Sequence, residues 1–151
     1  MKYCQGMGLL ENMKKKNKGR TCGGYAQIVF HQLCWNMNWE CSVPTFETYP
    51  YDFVVRGIKK EPTFKTVQVK QAYIENGSNR IRVDLRKKGN NGKKKSYERG
   101  DFDYVAVYRP DSDDWYVIPW NKIRKIKSEI GLTVGKWDDY KVKKRRSSAR
   151  V

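Results

Sequence analysis

The stretch "YPYDFVVRGIKKEPTFKTVQVK", residues 49–70, decides how the chain is read. It holds two apolar runs, "YDFVVRG" and "FKTVQVKQAYI", separated by the polar "IKKEP", the pattern of two neighbouring strands joined by a turn. Each run carries polar residues that a buried strand does not need. Strand side chains alternate between faces, so Gln68 and Lys70 leave one side of their strand while Val67 and Val69 enter the other. In the preceding strand Asp52 stands at the entrance, with Phe53 and Val55 on one face and Val54 on the opposite one. Pairing of the two runs as a hairpin allows Asp52 to lie opposite the segment from Gln68 to Lys70.

Working outward, helix precedes strand. Tyr25, Val29, Leu33 and Met37 recur every four residues, with Ile28 beside them, and predict a helix from Tyr25 to Asn38 with an apolar stripe; "ECSVP" is a short strand closed by Pro44. "SNRIRVDLRKK" alternates Ile81, Val83 and Leu85 against Arg80, Arg82, Asp84 and Arg86, which predicts one strand with a buried face and a basic face. "GNNGKKKSYERGD" is expected to be a loop. "FDYVAVYRP" and "WYVIPW" make two further strands around "PDSDD", and "NKIRKIKSEI" is expected to be helical with Ile123 and Ile126 inward. No internal repeat is visible. The order of a helix, about five strands and closing helices suits an α/β or α+β layer with one central mixed sheet.

With 151 residues, 38% hydrophobic and 13% aromatic, the chain suits one packed domain rather than a disordered tail. Composition shifts divide it into a basic arm over residues 1–22, a folded domain over 23–141 and a basic tail over 142–151. No apolar run approaches membrane-span length and the N-terminus lacks a signal-peptide pattern, so an intracellular, membrane-free protein is expected. Cys4, Cys22, Cys34 and Cys41 form no CxxC pair, and with His31 as the lone histidine a zinc site is not expected; reduced, partly buried thiols are. Trp115, Trp120 and Trp137 are expected in the core, and no ladder of exposed aromatics of the kind that binds single strands is legible.

Charge supplies the partner class. Against 16 acidic residues stand 32 Lys and Arg, a formal net charge of +16, which favours a polyanion: nucleic acid, or with the same field a membrane surface. Arg80, Arg82 and Arg86 on the strand face, with Lys87, Lys88, Lys93, Lys94 and Lys95 in the following loop, are the candidates for phosphate contact. A carboxylate, an amide oxygen and an ammonium meeting at one place is what metal-assisted phosphodiester cleavage uses. Oxygen ligands hold Mg²⁺, and the cation orients or deprotonates the attacking water. The bland alternative stays open: Asp52 caps a turn, Gln68 pairs on an edge strand and Lys70 reaches to solvent.

In "VPTFETYPYDFVV" (43–55), "FKTVQVKQA" (64–72), "FDYVAVYRPDSDDWYVIPW" (102–120) and "GKWDDY" (135–140), the chain resembles the PD-(D/E)xK nuclease superfamily. Within it, the small endonucleases encoded in group I introns are the nearest in pattern, and the likeness spans about residues 23–140. The resemblance implies a restriction-endonuclease-like core, a central mixed β-sheet flanked by helices, acting as a Mg²⁺-dependent endonuclease on double-stranded DNA. Mn²⁺ is the expected substitute metal, and a homodimer or higher homo-oligomer the expected assembly, because one site cuts one strand. It further implies that Asp52 and the Val69 carbonyl are metal ligands, that Gln68 stands where most members carry Asp or Glu, and that Lys70 is the motif lysine. Members usually add a glutamate from the first helix, where this chain has Gln27. An amide oxygen brings no negative charge, so Asp52 is left as the single expected carboxylate unless Glu40 or Glu47 joins it. A Holliday-junction resolvase, or a DNA-binding protein of this fold with an impaired site, are the alternative functions.

Overall fold

The computed structural model describes residues 21–132 and 135–143. The basic arm and the tail expected at 142–151 therefore lie outside the described residues, apart from Thr21, Cys22, Val142 and Lys143.

Helix α1 (Thr21–Met37) opens the fold and is followed by β1 (Glu40–Ser42), β2 (Phe53–Arg56) and β3 (Phe64–Gln71). Next come β4 (Tyr73–Ile74), β5 (Ile81–Asp84), β6 (Arg86–Lys88) and β7 (Lys94–Ser96), then β8 (Tyr104–Arg109) and β9 (Asp114–Pro119). A single turn of helix, α2 (Trp120–Ile123), leads to β10 (Glu129–Gly131). The main sheet has the order β1-β2-β3-β8-β9; β3 runs antiparallel to β2 and parallel to β8. A three-stranded sheet, β10-β5-β4, and the β6-β7 ribbon lie beside it. This is an α+β architecture with a mixed central sheet, as the strand pattern indicated.

Both faces of the main sheet are covered, which explains why "YVAVY" in β8 is buried at every position. On one face Ala26, Phe30, Leu33 and Cys34 of α1 pack on Phe53, Val55, Val67, Val69, Ala106, Trp115 and Val117. On the other face Val105, Val107, Tyr116 and Ile118 meet Val83, Leu85, Ile123, Ile130 and Trp137. The turn between β2 and β3 runs through Gly57 at φ 108°, where an added Cβ would lie 3.1 Å from the Trp39 ring. Cys34 and Cys41 are free thiols, and Cys41 Sγ lies 3.6 Å from His31 Nδ1.

Four expectations need correction. Helix α1 begins by Thr21, before Tyr25, and its buried stripe is Ala26, Phe30, Leu33 and Cys34, while Ile28 is exposed. A strict four-residue repeat overruns the 3.6-residue turn and slides around the helix, so the Tyr25–Val29–Leu33–Met37 series follows the edge of the true stripe. "SNRIRVDLRKK" is two strands, broken at Leu85, whose N–H donates to Ser128 O instead of continuing one ladder. The expected loop at 89–101 contains β7, paired with β6 through Arg86↔Ser96 and Lys88↔Lys94. "NKIRKIKSEI" is helical only to Ile123; Glu129–Gly131 pairs with β5 because Ile130 joins the core there.

Candidate active site

The register of β2 on β3, Phe53↔Val67, continues back to Asp52, whose N–H donates to Val67 O at 2.9 Å. That places the Asp52 carboxylate against the start of the Gln68–Lys70 segment. Its Oδ2 accepts from the Val69 N–H at 2.8 Å and from Gln68 Nε2 at 2.6 Å, and its Oδ1 accepts from Gln27 Nε2 at 3.0 Å. Gln68 Nε2 also donates to Val69 O at 3.1 Å. One amide NH₂ thus bridges the carboxylate and the carbonyl, supplying positive charge between two oxygens that face each other.

Lys70 shares the strand face of Gln68. Its ammonium donates to Arg86 O at 2.9 Å and lies 5.2 Å from the centre of the Tyr97 ring. Lys87, paired with Asp101 at 2.6 Å, sits 5.9 Å from the same ring, so one aromatic face serves two cations. Burial lowers the Lys70 ammonium below the ordinary lysine range, against the pull of Asp84 and Asp52. Burial also pushes the Asp52 carboxyl up, opposed by the Val69 N–H bond and by Lys70. Both groups are therefore charged at a cost, and each supports the charge of the other.

Gln68 and Lys70 line a cleft of about 670 Å³ together with Glu47, Tyr49, Lys88 and Tyr97 among others, and Asp52 is tied to it through the hydrogen bond from Gln68. Glu47 is thus at the site, whereas Glu40 is turned to an ion pair with Arg56 across β1 and β2. Among the described residues no group of three or more His, Cys, Asp or Glu side chains gathers. The oxygens available to a cation are those of Asp52, Val69 and the two glutamine amides. All are hard donors, the type that suits Mg²⁺ or Mn²⁺, and the bridging NH₂ of Gln68 occupies the place between them that a cation fits.

The expected basic face is only partly basic. Arg82 pairs with Glu75 and Glu129, Arg86 with Asp84 and Glu129, Lys87 with Asp101, and Lys94 with Asp84. Lys88 and Lys95 line the cleft; these two and Lys93 form no ion pair among the described residues. Arg80 lies apart, lining a second hollow with Arg82 and Arg109. Period-two alternation marks which side chains share a face, but not which acids neutralise them: Asp84 and Glu75 lie in and beside the run itself, while Glu129 and Asp101 arrive from β10 and the 98–101 turn.

Two further features escaped the sequence. Tyr97 was placed within a loop, yet it forms the aromatic wall behind Lys70; the only signal for it is a tyrosine amid the basic "KKKSYERG". Phe46, Tyr49 and Tyr51 stand in ring-to-ring contact at 6.3 and 5.4 Å by the cleft, where no run of exposed aromatics was expected. Trp115 and Trp137 are buried in the core, while Trp120 is half-buried, edge-on to Phe102 at 5.4 Å.

A β2–β3 hairpin that sets an acid against QxK, on a mixed sheet backed by a helix, is the architecture of a nuclease. A sequence profile of the PD-(D/E)XK endonuclease family matches residues 13–149, and the chain belongs to that family. Among solved structures it is similar to a bacterial homing endonuclease, I-Ssp6803I, at 23% identity over 89% of this chain and 86% of that chain, with a TM-score of 0.66. At that identity the likeness is one of fold. No curated protein sequence matches the chain.

Proposed function

We propose that this nuclease is a Mg²⁺-dependent endonuclease that hydrolyses phosphodiester bonds of double-stranded DNA, of the homing or restriction type, acting as a homodimer or larger homo-oligomer. The observation that carries the reading is the bridge from Gln68 Nε2 to Asp52 Oδ2 and Val69 O, with the Lys70 ammonium on the same strand face. A carboxylate, a carbonyl and an amide converge where a positive charge is already favoured.

Asp52, the Val69 carbonyl and the amide oxygen of Gln68 are the groups to hold the metal. When bound, a divalent cation polarises the scissile phosphate and lowers the pKa of the attacking water. Asp52 supplies the negative charge that retains it, and Gln68 turns its amide to present oxygen in place of nitrogen. Gln27 contributes an oxygen or a hydrogen bond but no charge, which makes the metal site weaker than one with a second carboxylate. Lys70, held by Arg86 O and the Tyr97 ring, is placed to orient the attacking water and take its proton; burial favours the neutral amine that can do so. Of the basic residues at and near the cleft, Lys88, Lys93 and Lys95 have no internal acidic partner among the described residues and can meet phosphates directly; Arg82, Arg86, Lys87 and Lys94 contact DNA only by leaving or sharing an internal partner.

The test is cleavage of DNA carrying the cognate site in Mg²⁺ or Mn²⁺. Asp52→Ala and Lys70→Ala abolish cutting and leave DNA affinity largely intact. Wild-type protein that binds DNA tightly and cuts under neither metal establishes the binding-only alternative. Preference for four-way junctions over linear duplex establishes a resolvase.

A further inference from the structure

The segment just after β9 turns its isoleucines inward and its charges outward. Ile123 is buried and Ile126 packs against the same core, which fixes the segment to the sheet. Its remaining side chains, Asn121, Lys122, Arg124, Lys125 and Lys127, are exposed. From Trp120 to Lys127 there is no acid in the sequence, and among the described residues none of the four cations forms an ion pair. The contrast with Arg82, Arg86, Lys87 and Lys94, each tied to a carboxylate, is direct. A cation that already has a carboxylate gains less from a phosphate, since it must give up one partner for the other.

Position adds to charge. Arg124 and Lys125 line a hollow with Arg99, Trp120 and Asn121, whose other wall is Tyr97 and Glu98. Tyr97 and Glu98 also line the cleft that holds Lys70. The two concavities share Tyr97 and Glu98 as a wall, and the Lys70 ammonium lies 5.2 Å from the Tyr97 ring centre.

We propose that Lys122, Arg124, Lys125 and Lys127, with Asn121 and Arg99, form an anchoring surface that grips the backbone phosphates of the duplex beside the cleaved bond. The ligand is the DNA backbone: exposed cations spaced along a short segment, with an amide beside them, meet phosphate oxygens without reading bases. This inference rests on the nuclease reading of the neighbouring cleft and goes beyond it in assigning where the substrate is held. It places the main electrostatic grip on the 120–127 segment, with the alternating 80–86 strand face in a lesser role.

The experiment uses the full chain in EDTA, so that binding is read without cutting, and a random-sequence DNA duplex of about 30 base pairs titrated across about 50 to 300 mM salt. In Lys122→Gln/Arg124→Gln/Lys125→Gln the slope of log K against log salt becomes shallower by about 2 to 3, at about 0.9 per lost phosphate contact, and affinity at about 0.1 M salt falls at least about tenfold. Because the three side chains are exposed, thermal unfolding stays at the wild-type temperature. The single charge reversal Lys125→Glu, read in the same assay, weakens binding in the same direction. Unchanged slope and affinity in both variants, with wild type binding duplex, overturn the anchoring surface and leave the nuclease reading standing. Wild type that binds no duplex at any salt overturns both. Tighter binding of an RNA duplex of the same length assigns the surface to RNA and overturns the proposal as stated.

Discussion

Replacing Gln27 with glutamate tests how the site manages its single carboxylate. Gln27 Nε2 donates to Asp52 Oδ1 at 3.0 Å, so Gln27→Glu exchanges an attractive contact for two carboxylates about 4 Å apart. At an effective dielectric of 20 their repulsion is about 4 kcal/mol, an upper figure because both side chains can turn away. That repulsion adds to the rise burial already gives the Asp52 carboxyl, so the pair holds a shared proton well above the ordinary carboxylate range. At alkaline pH, without metal, both are ionised, and the variant melts below wild type by at most about 8 to 16 °C, at about 2 to 4 °C per kcal/mol for a chain of this length. Millimolar Mg²⁺ then reverses the order of gains. The variant now has two negative ligands, and a tenfold tighter site adds about 1.4 kcal/mol of metal-dependent stability over wild type. The assay is thermal unfolding of the full chain at several pH values, with and without MgCl₂. Identical metal-free melting temperatures, or an identical Mg²⁺ increment in the two proteins, would refute the placement of Gln27 beside a metal-holding Asp52.

Lys70→Met keeps the side chain's apolar contacts but takes the cation from beside Asp52 and the donor from Arg86 O; cleavage falls by about 10² to 10⁴ and the melting temperature drops modestly, measured by DNA nicking and thermal unfolding. Asp84 has its carboxyl raised by burial, but bonds from Arg86 and Lys94 outweigh this and hold it well below the usual carboxylate range. Its contribution to stability is therefore present above the unfolded-state pKa near 4 and is lost as pH falls through the folded value. Asp84→Asn accordingly destabilises at neutral pH, and the gap to wild type narrows in denaturant titrations below about pH 4. Phe30 is fully buried, 4.9 Å from the Phe53 ring and 5.4 Å from Trp115, so Phe30→Ala costs about 3 to 5 kcal/mol in urea unfolding.

What the sequence disclosed follows from how local each signal is. The alternation in "TVQVK" places Gln68 and Lys70 on one face because the pleat has a fixed period, and β3 has that pattern of burial. "YVAVY" signals a strand buried on both faces, as β8 is. By contrast the contact of Gln27 with Asp52 depends on the angle at which α1 crosses the sheet, which no residue spacing encodes. The break at Leu85 was hidden because Leu85 keeps the alternation while its N–H is diverted to Ser128. Arg82 and Arg86 have near partners in Glu75 and Asp84, but the second acid they share, Glu129, lies more than forty residues away on a strand that the basic "NKIRKIK" obscured.

The strand that carries Gln68, Val69 and Lys70 pairs with β2 as far as Val67 and with β8 from Val67 to Gln71; Val67 and Val69 enter the core under α1, while Gln68 and Lys70 line the cleft. The amides that β8 holds exchange only when that ladder opens, so in hydrogen–deuterium exchange the β3–β8 pairing belongs with the slowly exchanging part of the molecule. Substrate cannot reshape that strand. Accommodation of a helix of varying groove width must come from the segment between β1 and β2, which carries Phe46 and Tyr49 and lies outside every ladder.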